Sequence, residues 1–265
     1  MSQAVGVEGG VPATLWRRRE VVSVLLRRAI LARYRGAALG YLWTLLSPLL
    51  LMAVYTVVFS LYLRVPLQNY PAFLFSAFIP WLWFASSLQE GTQALLSGAN
   101  LVARSRLDAE ILPSVAVLSG LVHCLFSLPL VVAFALFVGR PIGLSLVALP
   151  ALLALQLALT LGPAVLFATW NVYLRDIQQI IPPVLQALFF ASPILYSVEV
   201  VPERLRFLLF ANPWTYLARS YQCVLYEGRF PAAADLAVLT VLAIVVHLGC
   251  ESAFRGYRRR LAEEL

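Results

Sequence analysis

Six stretches of this chain are long and apolar enough to cross a lipid bilayer as helices, and that pattern limits the fold more than any motif does. A hydrocarbon core of about 30 Å takes about 20 predominantly apolar helical residues. The runs are Leu39–Leu63, Pro71–Leu88, Val115–Val138, Leu144–Asn171, Ile177–Phe190 with some extension at either end, and Ala232–Cys250. Only helices and closed barrels satisfy their backbone polar groups in lipid, and runs of this length and continuity select helices. With 61% hydrophobic and 12% charged residues, nothing between the runs is left to build a separate water-soluble core. The expected fold is an all-α membrane protein with six transmembrane helices. The fifth run is the shortest, and Pro182 and Pro183 near its start are expected to shift or kink it.

Arginine placement orients the chain. With six crossings and both termini on one side, fourteen arginines fall on that side and six on the other. The arginine-rich side is cytoplasmic by the positive-inside rule. Leu205–Tyr226 is apolar enough to suggest a seventh crossing, but this would expel the C-terminal arginines. Asn212-Pro213 and Arg219 interrupt that segment, so two half-helices dipping in from the outside are expected within an outer cap over 192–230. The first residues resemble neither a signal peptide nor an anchor.

Three regions outside the spans have a pattern of their own. Residues 1–14 are expected to form a disordered cytosolic tail, and residues 15–35 a basic interfacial helix. On its wheel Leu15, Val22, Leu25, Leu26 and Ala29 share one side, with Arg17, Glu20, Arg27, Arg28 and Arg35 opposite. Residues 36–254 form the membrane domain and residues 255–265 a cytosolic C-terminal tail. In the loop over 100–113, Asn100 is placed to cap a short helix ended by Pro113. Its Leu101 and Leu107 alternate with Arg104, Arg106, Asp108 and Glu110, a pattern that fits a solvated connector and a protein-docking helix equally.

Several chemistries are excluded. All 20 Lys+Arg residues are arginine, so no Walker A lysine and no Schiff-base lysine exists. If ATP is used, a partner binds it. Cys124, Cys223 and Cys250 are dispersed, and His123 and His247 sit in apolar runs, so no metal-ligand spacing and no catalytic constellation is present. Ionisable groups in the spans are scarce, which disfavours an ion-coupled carrier. The net charge of +7 orients the chain rather than serving nucleic acid.

The stretch Arg33-Tyr34-Arg35-Gly36-Ala37-Ala38-Leu39-Gly40-Tyr41-Leu42-Trp43, followed by Pro48, resembles the entry to the first span in permease subunits of bacterial ABC exporters for cell-surface polysaccharides. Pro80-Trp81-Leu82-Trp83-Phe84, Asn100-Leu101-Val102, Glu110-Ile111-Leu112-Pro113, Asn171-Val172-Tyr173-Leu174-Arg175-Asp176-Ile177, Ser192-Pro193-Ile194-Leu195-Tyr196 and Asn212-Pro213 follow in the order of that family. Arg104 and Arg106 depart from it, standing where relatives commonly keep lysines; the charge is preserved and the contact geometry changes.

The resemblance implies a bacterial inner-membrane homodimer with two cytosolic ATPase subunits, a lipid-linked glycan as substrate, and ATP and Mg bound on the partner, with no cofactor on this chain. It makes 100–113 the coupling helix, with Leu101, Arg104, Arg106, Leu107, Asp108 and Glu110 docking the ATPase. Tyr55, Phe59, Trp83 and Tyr196 are the preferred residues of the substrate path, since aromatic faces stack on sugar rings. Asn212 and Pro213 stand at an outer gate, and Arg33, Arg35 and Trp43 anchor the interface. An exporter of a drug, lipid or other amphiphile shares part of this pattern. A membrane-embedded glycosyl- or acyltransferase would need a carboxylate or histidine cluster, and Asp108 and Glu110 have no histidine nearby.

Overall fold

Proline and glycine positions decide where the helices begin and how closely they approach. A computed structural model describes residues 10–34, 42–105 and 107–264, and every regular element among them is helical. In chain order these are α1 (Val11–Arg17), α2 (Arg19–Tyr34), α3 (Trp43–Thr56) continued by a π-helical turn to Tyr62, α4 (Tyr70–Ser97), α5 (Ala99–Ser105) and α6 (Ile111–Phe137). They continue as α7 (Leu149–Tyr173), α8 (Ile177–Phe190), α9 (Arg206–Ala211), α10 (Pro213–Leu225) and α11 (Ala233–Glu264). Among the described residues five helical stretches are long and apolar enough to cross a membrane: Leu45–Tyr62, Tyr70–Ser97, Ile111–Phe137, Leu144–Tyr173 and Ala233–Tyr257. The fifth expected run, α8, has 14 residues. At 1.5 Å per residue it reaches about 21 Å, short of a hydrocarbon core. Pro182 and Pro183 lie inside it and the helix continues through them.

Helix α4 is the centre of the molecule. Pro71 opens it at a first-turn position, where a missing N–H costs nothing. Farther along, Gln156 of α7 donates from Nε2 to the Pro80 carbonyl at 2.8 Å, and Asn171 donates from Nδ2 to the Thr92 carbonyl at 3.1 Å. These two buried amides tie α7 to α4 where apolar surface alone gives little drive between helices in lipid. At Gly120 of α6 a Cβ would stand 2.7 Å from both Ser87 Oγ and Trp83 Cδ1. At Gly162 of α7 it would stand 3.3 Å from the His247 Cα of α11. Both seams depend on the missing side chain.

The N-terminal region differs from expectation in two ways. Residues 11–14 are helical rather than a disordered tail, with Val11 and Thr14 buried, and a side chain at Gly10 would collide with Glu251 of α11. The helix expected over 15–35 is broken at Arg18 into α1 and α2. Its apolar side, Leu15, Val22, Leu25, Leu26 and Ala29, packs on Ile111, Val115, Leu107 and Leu118 around the start of α6.

The loop after α4 also needs correcting. The short helix ends at Ser105, and Pro113 starts the next helix rather than ending this one. Pro113 sits in the first turn of α6, where its absent N–H has no carbonyl to serve. The segment 205–226 breaks at Asn212-Pro213 into α9 and α10.

Candidate functional site: the α2 face and the loop beneath it

The elements nearest the short loop helix are held by α2. Arg18, at the α1–α2 break, donates from Nε to Asp108 Oδ2 at 3.2 Å. Asp108 is mostly covered and Arg18 is half exposed, so the pair positions the loop more than it stabilises the fold; exposed pairs of this kind contribute about 0–1 kcal/mol. Leu107 is half-buried against Val22 of α2, Leu101 is half-buried on α5, and Glu110 is fully buried. The expected docking set is therefore split: Leu107, Asp108 and Glu110 face the protein's own α2–α6 seam, while Leu101 lies on α5. Arg106 lies outside the described residues, and so does Arg35 of the expected anchor.

At the far end of α2, Arg33 pairs with Glu90 of α4, Nη2 to Oε1 at 3.0 Å. Trp43 is exposed in the first turn of α3 and, with Arg33, borders a cavity between α3, α4 and α6. Nothing in the sequence pairs Glu90 with Arg33, because their wide separation along the chain carries no local signal. Arg18 was equally hidden as the loop's partner.

Of the four expected path aromatics, Tyr55 and Phe59 meet edge to face at a ring-centroid distance of 6.4 Å, and Trp83 and Tyr196 lie apart from them. Tyr55 meets Phe78 and Phe189 at ring-centroid distances of 5.7 and 5.9 Å, and Phe59 stacks on Tyr70 at 6.0 Å. Trp83 points to the other side of α4, buried, donating from Nε1 to the Val117 carbonyl at 3.1 Å. Tyr196 donates its hydroxyl proton to the Phe190 carbonyl at 2.8 Å. What links the regions instead is a chain of rings: Phe189 meets Trp81 at 5.5 Å, Trp81 meets Trp214 of α10 at 4.9 Å, and Trp214 meets Phe84 at 5.2 Å. Phe78, Trp81 and Phe84 recur every three residues along α4, which was the available signal.

Asn212 is nearly buried at the α9–α10 junction. Its Oδ1 accepts from the Trp214 amide at 3.0 Å, capping α10, and its Nδ2 donates to Ser192 Oγ at 2.9 Å. Pro213 follows at the first helical position, its favoured place. Gln222 donates to the Pro193 carbonyl at 2.7 Å. The cap is thus sewn to the end of α8. On its rim, Arg140 lies 3.6 Å over the Tyr226 ring. Glu199 is held below the ordinary carboxylate range, first by the Ser197 hydroxyl and then by its own backbone amide.

The chain is similar to known transport proteins along nearly its whole length. The ABC-2 type transporter family model matches residues 20–226, from α2 to just past the end of α10. The O-antigen export system permease protein RfbA of Myxococcus xanthus is 35% identical over 253 residues, covering 95% of this chain and 97% of the relative. The protein of the same name from Klebsiella pneumoniae is 27% identical, covering 93% and 95%. The polysialic acid transport protein KpsM of Escherichia coli is 22% identical, covering 86% and 90%. A family match that takes in α2, the paired loop, the central helices and most of the cap leaves one assignment: the chain belongs to the ABC-2 type transporter family.

Proposed function

We propose that this chain is the channel-forming membrane subunit of an ATP-driven exporter that moves a lipid-linked polysaccharide across the bacterial inner membrane. The observation that carries the reading is the full-length likeness to permeases named for O-antigen export, together with a chain that contains no lysine for a nucleotide-binding loop of its own. ATP and Mg belong to a separate ATPase, two copies of which serve a homodimer of this chain. Both termini are cytosolic, and α8 with its flanks makes the sixth crossing. Helix α2 lies at the inner interface, and α9 and α10 form the outer re-entrant cap with Asn212 and Pro213 at its gate.

Two features support a paired assembly. The most apolar window of the first span has no buried residue, and α8 exposes Ile180, Val184 and Phe190. A two-fold pair brings such faces together around one passage. Tyr55 and Phe59 on the first span stand nearest that passage; Trp83 and Tyr196 serve it from the inner cavity and the cap.

The ATPase docks on α5 and the residue after it, through Leu101, Arg104 and Arg106. Asp108 and Arg18 carry the displacement into α2, and Leu107 and Glu110 keep the loop seated on α6. Nucleotide binding in the partner shifts the population of the membrane subunit, and the work enters from outside this chain.

The gene deletion is the decisive experiment. Lipid-linked glycan is expected to accumulate on the cytosolic side of cells that lack the surface polymer; cells that keep the polymer without such accumulation refute the export role. Val54→Cys on the first span is expected to form intermolecular disulfides in native membranes, while Ala77→Cys, buried in α4, forms none. Monomeric Val54→Cys under oxidant removes the first span from the dimer contact.

A further inference from the structure

The cavity between α3, α4 and α6 has a volume of about 370 Å³, in the range of small-ligand sites. Leu51, Leu82 and the indoles of Trp43 and Trp83 give it an apolar wall, and Ser47 adds a hydroxyl. A second cavity, about 550 Å³, lies on the other side of Arg33 between α2, α4 and α6, with Glu90 on its wall. Arg33 borders both, so the Arg33–Glu90 pair stands at the junction of two largely apolar cavities, the first of which carries the two indoles. Each partner is close to half exposed, and the bond uses Nη2 of a guanidinium that carries five donors.

This arrangement suits an anion with a greasy chain better than a neutral guest. A planar guanidinium recognises phosphate with two parallel bonds, which a single carboxylate oxygen at 3.0 Å does not match. Trp43 and Leu51, which line the chamber on the α3 side, are both partly exposed, so a lipid chain reaches it laterally. We propose that Arg33 is the headgroup residue of a binding site for a phosphate-bearing amphiphile. The first segment of its chain lies against Trp43 and Trp83, and Glu90 is the competing anion that holds Arg33 when the site is empty. In the orientation proposed above the site faces the inner leaflet, and only that placement rests on the export reading. Two sources share this chemistry: an anionic bilayer phospholipid, and the polyprenyl phosphate end of a lipid-linked glycan.

The test uses the full-length protein in nanodiscs of phosphatidylcholine, with radiolabelled polyprenyl phosphate as the probe and phosphatidylglycerol as the competitor. Arg33→Gln is expected to weaken probe binding about tenfold, the loss of a charge-assisted contact. Glu90→Gln strengthens it severalfold by freeing the guanidinium. A purely structural ion pair predicts that both substitutions act in the same direction, and that outcome overturns the proposal, as does probe binding indifferent to Arg33. Ser47→Trp fills the chamber without touching the pair and abolishes binding if the chain lies there; it keeps the test decisive if Arg33→Gln does not fold. Probe binding that phosphatidylglycerol fails to displace identifies the glycan carrier as the source, and equal competition identifies bilayer lipid. Arg33-dependent binding in a protein whose deletion leaves export intact refutes the proposed function and leaves the site standing.

Discussion

The first two spans are opposites. The first is the more apolar by composition, yet none of its most apolar window is buried; the second is less apolar, and 78% of its window is buried. In water the order would be reversed. In lipid an exposed leucine loses nothing, so apolar surface does not decide which helix becomes the core. Helix α4 is buried because it carries small and polar residues that pack or bond: Ser76 and Thr92 fold their hydroxyls onto the Phe73 and Leu88 carbonyls, both at 2.6 Å, and Ser87 meets Gly120. The first span offers Leu50, Leu51, Val54 and Leu61 to whatever surrounds it.

The strongest challenge to this comparison is a pair of added side chains. Gly120→Val is expected to pry α6 from α4, lowering stability by about 1–3 kcal/mol or preventing accumulation altogether. Val54→Phe, on the face of the first span that meets nothing within the chain, is expected to lower thermal melting in micelles far less. Equal losses would mean that the first span is packed after all.

A smaller effect is expected from Gln156→Leu, which removes the donor to the Pro80 carbonyl; about 1 kcal/mol is expected, read from the same melting curves. No change would show that the α4–α7 seam is steric rather than hydrogen-bonded. Smaller still in stability is Arg18→Ala, at less than about 1 kcal/mol because the pair is half exposed. Its larger consequence is expected in co-purification with the ATPase, which falls as the loop loses its hold on α2. Full retention would remove the Arg18–Asp108 pair from the support of the docking loop.

The least effect concerns the cap, which lies between the two extremes. Glu199 has a depressed pKa, so its contribution is fully present above the unfolded carboxylate value and is lost as pH falls through the lower folded value. Proteolysis at 198–205 in sealed vesicles is expected to rise slightly on acidification in that window. Glu199→Gln should flatten the response, and an unchanged slope would assign it to another group.

Much of this was readable without coordinates. The start of Tyr70–Ser97 and the end of Ile111–Phe137 follow from hydropathy to within a residue, whereas α4 runs on to Ser97 past the expected Leu88 and α6 begins at Ile111 before the expected Val115; the break at 212–213 follows from an Asn-Pro step. The apolar side of α2 was legible from its helical period; that it rests on Ile111 and Val115 was not, because periodicity names a face and never its neighbour. The loop helix was drawn too long for a related reason. Pro113 marks a helix boundary in either direction, and local chemistry does not say whether it closes one helix or opens the next. The docking residues divided once the fold turned Glu110 inward, and the aromatics divided because α4 presents Trp81 and Trp83 to different neighbours.

The sequence by itself determined that this chain enters a membrane, which apolar runs become helices, where the arginines cluster, and that it has no lysine for a nucleotide loop. Those properties are local sums over composition and spacing. The tertiary structure decided which apolar helix is central and which is peripheral, and that α2 is fastened at one end by Arg18–Asp108 and at the other by Arg33–Glu90. Such pairings join residues far apart along the chain, and only the packing of helices in three dimensions selects them from the many partners that charge alone would allow.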